Sequence, residues 1–364
     1  MSPVEYESST VALSALGAAT SLGGIIQAAA AARAGLVRAQ ELTSCVHFDE
    51  ETGTPVPVTG HPAAWLTDGF EGTGRLAQLG QAALEDLLAT APQFQRERLD
   101  WFLCLPKSVA REAAHRLMQR LQEETGLSPQ PHAIHYLLDE RGGTAQALVE
   151  AAHRLRRRQC DHALILACDS LVDPERTGQL LDTRRLKTAD YPVGFMPGEA
   201  GVAALLERPD TLRRRGQQPL GLLFEPVTAT EPNSFAARAP PGGRALADII
   251  TKALARARAS ETTEGSVYID LNGESFRATE WGSTLVRARS TTRIENWSQQ
   301  IPALSFGETG TASPLLALSL AARAFSRGYA SGRHALLLVS SDDGHRAGMV
   351  LERPVSAQAR SRSF

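Results

Sequence analysis

Short apolar runs alternate along the chain with helical stripes of small and apolar residues, the pattern of an α/β protein. Val11 to Leu16 reads as a first strand closed by Gly17, and Gly23 to Ala34 as an alanine-rich helix stopped by Gly35. The Pro-, Gly- and Thr-rich segment Thr52 to Phe70 reads as an ordered loop. Arg75 to Ala89 sets Leu76, Leu79, Ala83, Leu84, Leu87 and Leu88 on one helical face, beside a strand from Asp100 to Leu105 that Pro106 stops. Glu112 to Thr125 is a second amphipathic helix, with His115 at its surface. In the stretch Glu140 to Ser170, Gly142 and Gly143 free the turn, Thr144 is placed to cap, and Ala145, Leu148, Ala151, Ala152 and Leu155 recur at helical spacing. Arg154 to Arg158 marks the solvated last turn, and His162 to Ala167 a buried strand. Gly178 to Ala189 follows as a polar excursion, and Gly194 to Gly201 as a tight turn before a strand over Val202 to Leu206. Ser356 to Phe364 is a polar tail expected to fray.

The pattern occurs twice. Gly143-Thr144-Ala145 recurs as Gly310-Thr311-Ala312, and His162-Ala163-Leu164-Ile165-Leu166 as His334-Ala335-Leu336-Leu337-Leu338. Strand endings at Glu207-Arg208-Pro209 and Glu352-Arg353-Pro354 echo each other. At nearly the same offset, Trp101 to Leu105 matches Tyr268 to Asn272, and Arg75 to Ala89 matches Arg244 to Ala257. Repeats this long in the same order imply a duplicated α/β unit rather than a solenoid. The charged, glycine-ended stretch Arg213 to Gly216 marks the junction, so the halves are expected at 1–215 and 216–364.

Composition narrows the function classes. With 364 residues, 43% hydrophobic and 21% charged, the chain can bury a large core. Its 38 basic and 40 acidic residues leave a formal charge of −2, which gives no field for nucleic acid or an anionic membrane. Cys45, Cys104, Cys160 and Cys168 form no CxxC pair and read as buried reduced thiols. The opening MSPVEYESST has no basic region leading into an apolar one, and no run approaches about eighteen apolar residues. A cytoplasmic protein is expected from these features.

The opening ALGAATSLG with its alanine-rich helix, the central GTAQALVEAA and HALILACDS, the turn and strand PVGFMPGEAGVAALLE and the late FGETGTAS together resemble a β-ketoacyl synthase of the thiolase superfamily, over most of the chain. The resemblance implies a thiolase fold, five layers αβαβα in two pseudo-symmetric duplicated halves. It also implies homodimers joined edge to edge across a twofold axis. Active members of that family use a cysteine at the start of the central helix and two histidines from the second half. The cysteine is acylated with help from the helix N-terminus, and the histidines and an oxyanion hole promote decarboxylation and carbon–carbon bond formation.

Carried over residue by residue, the nucleophile position falls on Arg141 or, one residue on, Gly142. The first histidine position falls on Asn272 in VYIDLNGE, the second on Glu308 after Gly307, and the family's lysine on Ala303. The resemblance therefore implies a degenerate triad. Other constellations are thin. His345, in the loop SDDGHRAG, has only Ser340 or Ser341 nearby as a nucleophile and otherwise reads as a backbone-bonded loop histidine. Asp342, Asp343 and Glu308 form too small a ligand set for an octahedral metal, so neither metal nor cofactor is expected. Gly142, Gly307, Asp343 and His345 are candidate pocket-lining residues. Arg141 and Glu308 occupy near-equivalent positions in the repeat, and either pair as a buried bridge or lie exposed in a shallow cleft.

Three functions stay open. The stretches DLNGESFRATEW and VTGHPAAWLTDGFEGTGRLAQL resemble thiolase-like proteins encoded beside type VI secretion effectors, which implies a non-catalytic platform that helps load an effector with its adaptor. A chain-length-factor-like subunit beside a live ketosynthase is the second reading, and an acyltransferase with altered chemistry the third. Either would engage an acyl carrier protein, for which Arg184, Arg185 and Lys187 offer a basic collar.

Overall fold

The computed structural model describes residues 10–91 and 98–354, so the expected C-terminal fray lies outside the described residues. In chain order the first half runs β1 (Thr10–Thr20), α1 (Ile25–Arg33), β2 (Gln40–Phe48), β3 (Pro55–Gly60), α2 (Ala64–Thr67), α3 (Gly72–Thr90), β4 (Leu99–Leu105), α4 (Arg111–Thr125), β5 (Ile134–Leu138), α5 (Arg141–Arg156), β6 (His162–Ser170), α6 (Pro174–Asp182) and β7 (Glu199–Glu207). After α7 (Pro209–Arg214) come β8 (Gly221–Phe224), β9 (Val227–Thr230), α8 (Arg244–Arg256), β10 (Ser266–Tyr268), α9 (Ser275–Ala288), β11 (Ser298–Gln300), α10 (Ala303–Phe306), α11 (Ser313–Ser326), β12 (His334–Ser340) and β13 (His345–Glu352).

The halves share one strand order. The first reads β5-β4-β6-β7-β1 and the second β11-β10-β12-β13-β8, with β9 also against β13. Pair by pair the directions agree: β4 is parallel to β5 and β6, and β10 to β11 and β12, while the later pairs are antiparallel. β8 joins the halves by pairing with both β1 and β13.

Side-chain alternation assigns the layers. Along β6, Ala163, Ile165 and Ala167 face a central core, while Leu164, Leu166 and Cys168 face an outer one. Along β12, Ala335, Leu337 and Val339 face the same central core, and Leu336 and Leu338 a third cluster. Apolarity on both faces is why these strands read as continuous runs rather than alternating ones. The central core holds α5 and α11, the first outer core α3 and α4, and the second α8 and α9. The result is five layers, αβαβα. α5 is buried on several faces because it lies between the two halves of the main sheet, with Ala147, Leu148, Ala151 and Leu155 all at 0% exposure. Each half also carries one cross-strand histidine–glutamate pair in register, His162 opposite Glu207 and His334 opposite Glu352.

Local expectations shift where a distant element intervenes. β1 does not close at Gly17; it runs on to Thr20, and Gly17 sits inside it because α3 presses there, so that a Cβ would lie 2.1 Å from the Ala83 carbonyl oxygen. The expected loop Thr52 to Phe70 contains β3, paired with β2, and the turn of α2. Its prolines are tolerated because this two-stranded ribbon stands apart from the main sheet. Thr144 is not a cap; α5 begins three residues earlier, and the Thr144 hydroxyl donates to the Thr311 carbonyl at 2.7 Å. The arginine run is solvated only at its end, since Arg154 is ion-paired with Asp100 and Arg156 with Glu225. The expected excursion from Gly178 is partly the helix α6, capped by Asp173 and started by Pro174. β10 is three residues long, shorter than the Tyr268 to Asn272 strand expected. No helix among the described residues is long and apolar enough to cross a membrane.

Candidate functional site

The starts of the two central helices meet, and the glycine-rich turn before β7 holds one of them. Gly307 has φ +67°, and a Cβ there would lie 2.8 Å from both the His61 ring and the Met196 carbonyl. A Cβ on Gly198 would lie 2.1 Å from the Phe306 carbonyl oxygen. These close approaches let Glu308 N–H donate to Met196 at 2.8 Å and its carbonyl accept from Gly198 N–H at 2.8 Å. The Glu308 backbone is thereby fixed, and its side chain points at the first residue of α5.

There Arg141 meets it. The guanidinium engages both carboxylate oxygens, Nε donating to Oε1 at 3.2 Å and Nη2 contacting Oε2, while Nη1 donates to the Ser340 carbonyl at 3.2 Å. Oε1 also accepts from Gly310 N–H at 2.8 Å, and Oε2 from Asn272 Nδ2 at 2.9 Å. Arg141 is 6% exposed and Glu308 4%. Of the two arrangements open from the sequence, this is the buried bridge. A fork-on-fork pair with its remaining acceptors filled is the geometry that offsets desolvation of two charges.

Asn272 connects the pair to a second tier, donating to Glu274 at 3.0 Å. Glu274 is clamped by Arg185 at 2.8 and 3.0 Å and approached by Arg277 at 3.3 Å. Arg277 reaches Asp270 at 3.1 Å and Asp342 at 2.9 Å, and Arg185 reaches Asp342 at 2.7 Å. Three arginines thus interlock with four carboxylates. Burial works against the Asp342 carboxylate, but the summed field of Arg277, Arg185 and Arg141 outweighs it and holds the pKa at about 2. Burial likewise opposes the charges of Glu274 and Arg141, and their opposite partners lower the one pKa and raise the other. Every group in this network that could move a proton is committed to an ion pair.

All four cysteines are buried, and burial pushes the Cys104 thiol up to about 12 and the Cys160 and Cys168 thiols higher still.

In front of Arg141 and Glu308 opens a cleft of about 910 Å³, walled by Leu171, Leu180, Phe195, Phe235 and Phe276 and rimmed by Lys107, Arg176 and Arg238. A smaller pocket of about 30 Å³ is also lined by Glu308, with Tyr268, Ala303, Gly307 and Leu337. Gly142 is not itself in the cleft lining; it packs beside Ser341, which is, and whose Oγ would lie 2.8 Å from a Cβ at that glycine. Asp343 and His345 stand outside the cleft lining, the His345 ring Nδ1 paired with Asp343 at 2.8 Å on an exposed hairpin, while Ser341 meets only the His345 carbonyl, through its backbone N–H at 2.9 Å. Asp342 and Asp343 do not converge with Glu308 on a common point, because Asp342 faces the arginines. The basic collar does not form: Arg185 is drawn into the floor, and Arg184 stacks over Tyr191 at 4.8 Å.

Sequence reasoning missed Glu274, Arg277 and His61, and gave Arg185 a collar role in place of its clamp on Glu274 and Asp342. An i,i+3 Glu–Arg pair was visible at Glu274 and Arg277. Arg185 gave no local signal, since its partners lie 89 and 157 residues away. His61 is fully buried behind Gly307, and burial lowers its pKa.

No protein-family model matches the chain, and a search of curated proteins returns no match. Solved structures do match. The chain is similar to the oxazolomycin ketosynthase domain KS7 of OzmH from Streptomyces albus JA3453, with TM-score 0.76 and 16% identity over 95% of this chain and 74% of that one. It is similar to AntDE:AntF, a type II acyl-carrier protein in complex with its ketosynthase, with TM-score 0.75 and 12% identity over 95% of this chain and 99% of that one. The ishigamide ketosynthase/chain length factor matches with TM-score 0.74 and 15% identity over 95% and 99%. At these identities the likeness establishes the architecture: the chain has the thiolase fold of the ketosynthases.

Proposed function

We propose that this chain is a non-catalytic β-ketoacyl-synthase-like protein that works as an interaction platform. The observation that carries the reading is the Arg141–Glu308–Asn272 cluster at the positions matched to the family's cysteine and histidines. A guanidinium is neither nucleophile nor base, an amide moves no proton, and Glu308 is held by Arg141, Gly310 and Asn272. Acyl transfer needs a thiolate or alkoxide beside a base, and none of the three matched positions supplies that nucleophile. The partner class implied by the sequence resemblance is a secretion effector with its adaptor, met by a homodimer in the cytoplasm. The β5 edge suits the dimer: its five residues, Ile-His-Tyr-Leu-Leu, are all half-buried, whereas the opposite edge, β11, is Ser-Gln-Gln.

A second reading, a chain-length-factor-like subunit beside an active ketosynthase, is favoured by the likeness to the ishigamide ketosynthase/chain length factor. One experiment separates the readings. The purified protein is incubated with a panel of acyl-coenzyme A thioesters, its intact mass is recorded, and partners are captured from its own cells. An unchanged mass with a stoichiometric effector or adaptor supports the platform. A live ketosynthase as main partner supports the second reading, and an acyl adduct overturns both.

A further inference from the structure

The cleft in front of the ion pair keeps an open volume, although the chemistry it would serve is missing from its floor. Phe235 and Phe276 form an edge-on pair with centroids 5.8 Å apart, and Phe235 is 37% exposed. The Arg185 guanidinium lies 4.6 Å over the Phe235 ring and holds that wall in place. The rim is cationic, with Lys107 and Arg176 beside Glu140 and with Arg238 next to Phe235, whose carbonyl accepts from the Arg238 backbone N–H at 3.1 Å; Asp182 is the second acid.

These rim charges are poorly satisfied by one another. Glu140 lies 3.8 Å from Lys107 and 3.7 Å from Arg176, too long for hydrogen bonds. Arg176 Nε is a buried donor with no partner. Ser341, 4% exposed and lining the same cleft, has a hydroxyl with no partner. Arg238 is exposed, and among the described residues its guanidinium has no ion pair. Buried unpaired donors cost about 1–3 kcal/mol each and mark places where an acceptor from outside is stabilised. Aromatic side chains and arginines together are also the residues enriched in the centres of protein interfaces.

We infer that this cleft is a docking groove for a short acidic segment of a partner protein, which sets a carboxylate on Arg176 and Arg238 and an aromatic or large aliphatic side chain against Phe235 and Phe276. The inference rests on the non-catalytic reading and names the surface the platform uses. Acidic recognition follows from the rim's surplus of cations, three against two, and the apolar anchor from the exposed aromatic pair. The floor does not compete for the segment, because Arg141, Glu308, Arg185 and Asp342 are already paired.

The test is fluorescence polarisation on the full chain with a labelled hexapeptide alternating aspartate with phenylalanine. Its comparison peptides replace every aspartate by lysine, or every phenylalanine by serine. The acidic aromatic peptide is expected to saturate and to weaken with salt. Each comparison peptide is expected to bind at least tenfold more weakly. Arg238→Glu, on an exposed residue, is expected to weaken the acidic peptide about tenfold with unchanged melting temperature, and Phe276→Ala to weaken it by a similar factor. Equal binding of the lysine peptide, no saturation by any peptide, or indifference to Arg238→Glu overturns the groove. Displacement by pantetheine at lower concentration than the peptide reassigns the cleft to a small thiol-bearing ligand and likewise overturns it. An acyl adduct would sink the non-catalytic reading separately, and loss of peptide binding without an adduct would leave that reading standing.

Discussion

In the first half, β6 and β7 are joined by residues 171–198, which carry α6, Arg185 and the Met196–Gly198 turn; in the second, β12 and β13 are joined by the tight hairpin 341–344. The central helices differ in the same way. α5 begins directly at Arg141, whereas α11 follows Gly307, Glu308 and a single 3₁₀ turn over Gly310–Ala312. The strand order is the same in both halves, and so is the His–Glu register pair. The difference teaches where a duplicated fold can diverge without loss: in connections and helix starts, which carry few core contacts, rather than in strands buried on both faces. The first half gives the site Arg141 and the Arg185 clamp, and the second gives all four carboxylates together with Arg277 and Asn272.

The comparison breaks most severely when one side of the bridge is removed. Arg141→Met leaves a buried carboxylate with only Gly310 and Asn272 as donors, and is expected to cost about 3–5 kcal/mol in urea denaturation. Leu148→Ala, in the helix between the two halves of the main sheet, empties a fully buried position and is expected to cost about 2–5 kcal/mol. Acid sharpens the comparison further. The Asp342 pKa of about 2 lies below its ordinary 3.8, so its stabilisation is complete above pH 3.8 and is lost as pH falls through 2. Asp342→Asn is therefore expected to flatten the acid limb of a pH–melting curve between those values. Smallest is Asp343→Asn, one residue on: its pair with His345 is exposed, and the change is expected to stay within about 0.5 kcal/mol in thermal melts.

Legibility follows the range of the interaction. Strands β6, β7, β12 and β13 were readable because burial on both faces writes a continuous apolar run into each. Arg141 opposite Glu308 was readable because the duplicated Gly-Thr-Ala fixes their offset, 167 residues in the contact itself. Gly17 misled as a strand end because its reason is the approach of α3 from outside the local sequence. Arg154 looked solvated because Asp100 lies 54 residues away on a neighbouring strand. Arg185 looked like a collar because Glu274 and Asp342 are brought to it only by the assembly of the two halves.

The central claim is that Arg141 and Glu308 fill and neutralise one site as a unit. The most direct measurement is a double-mutant cycle on stability with Arg141→Met, Glu308→Gln and the double variant. The structure predicts that the double variant loses less than the sum of the single losses, with a coupling of about 1–3 kcal/mol. Additive losses within about 0.5 kcal/mol would mean that the two side chains do not act on each other and would contradict the claim.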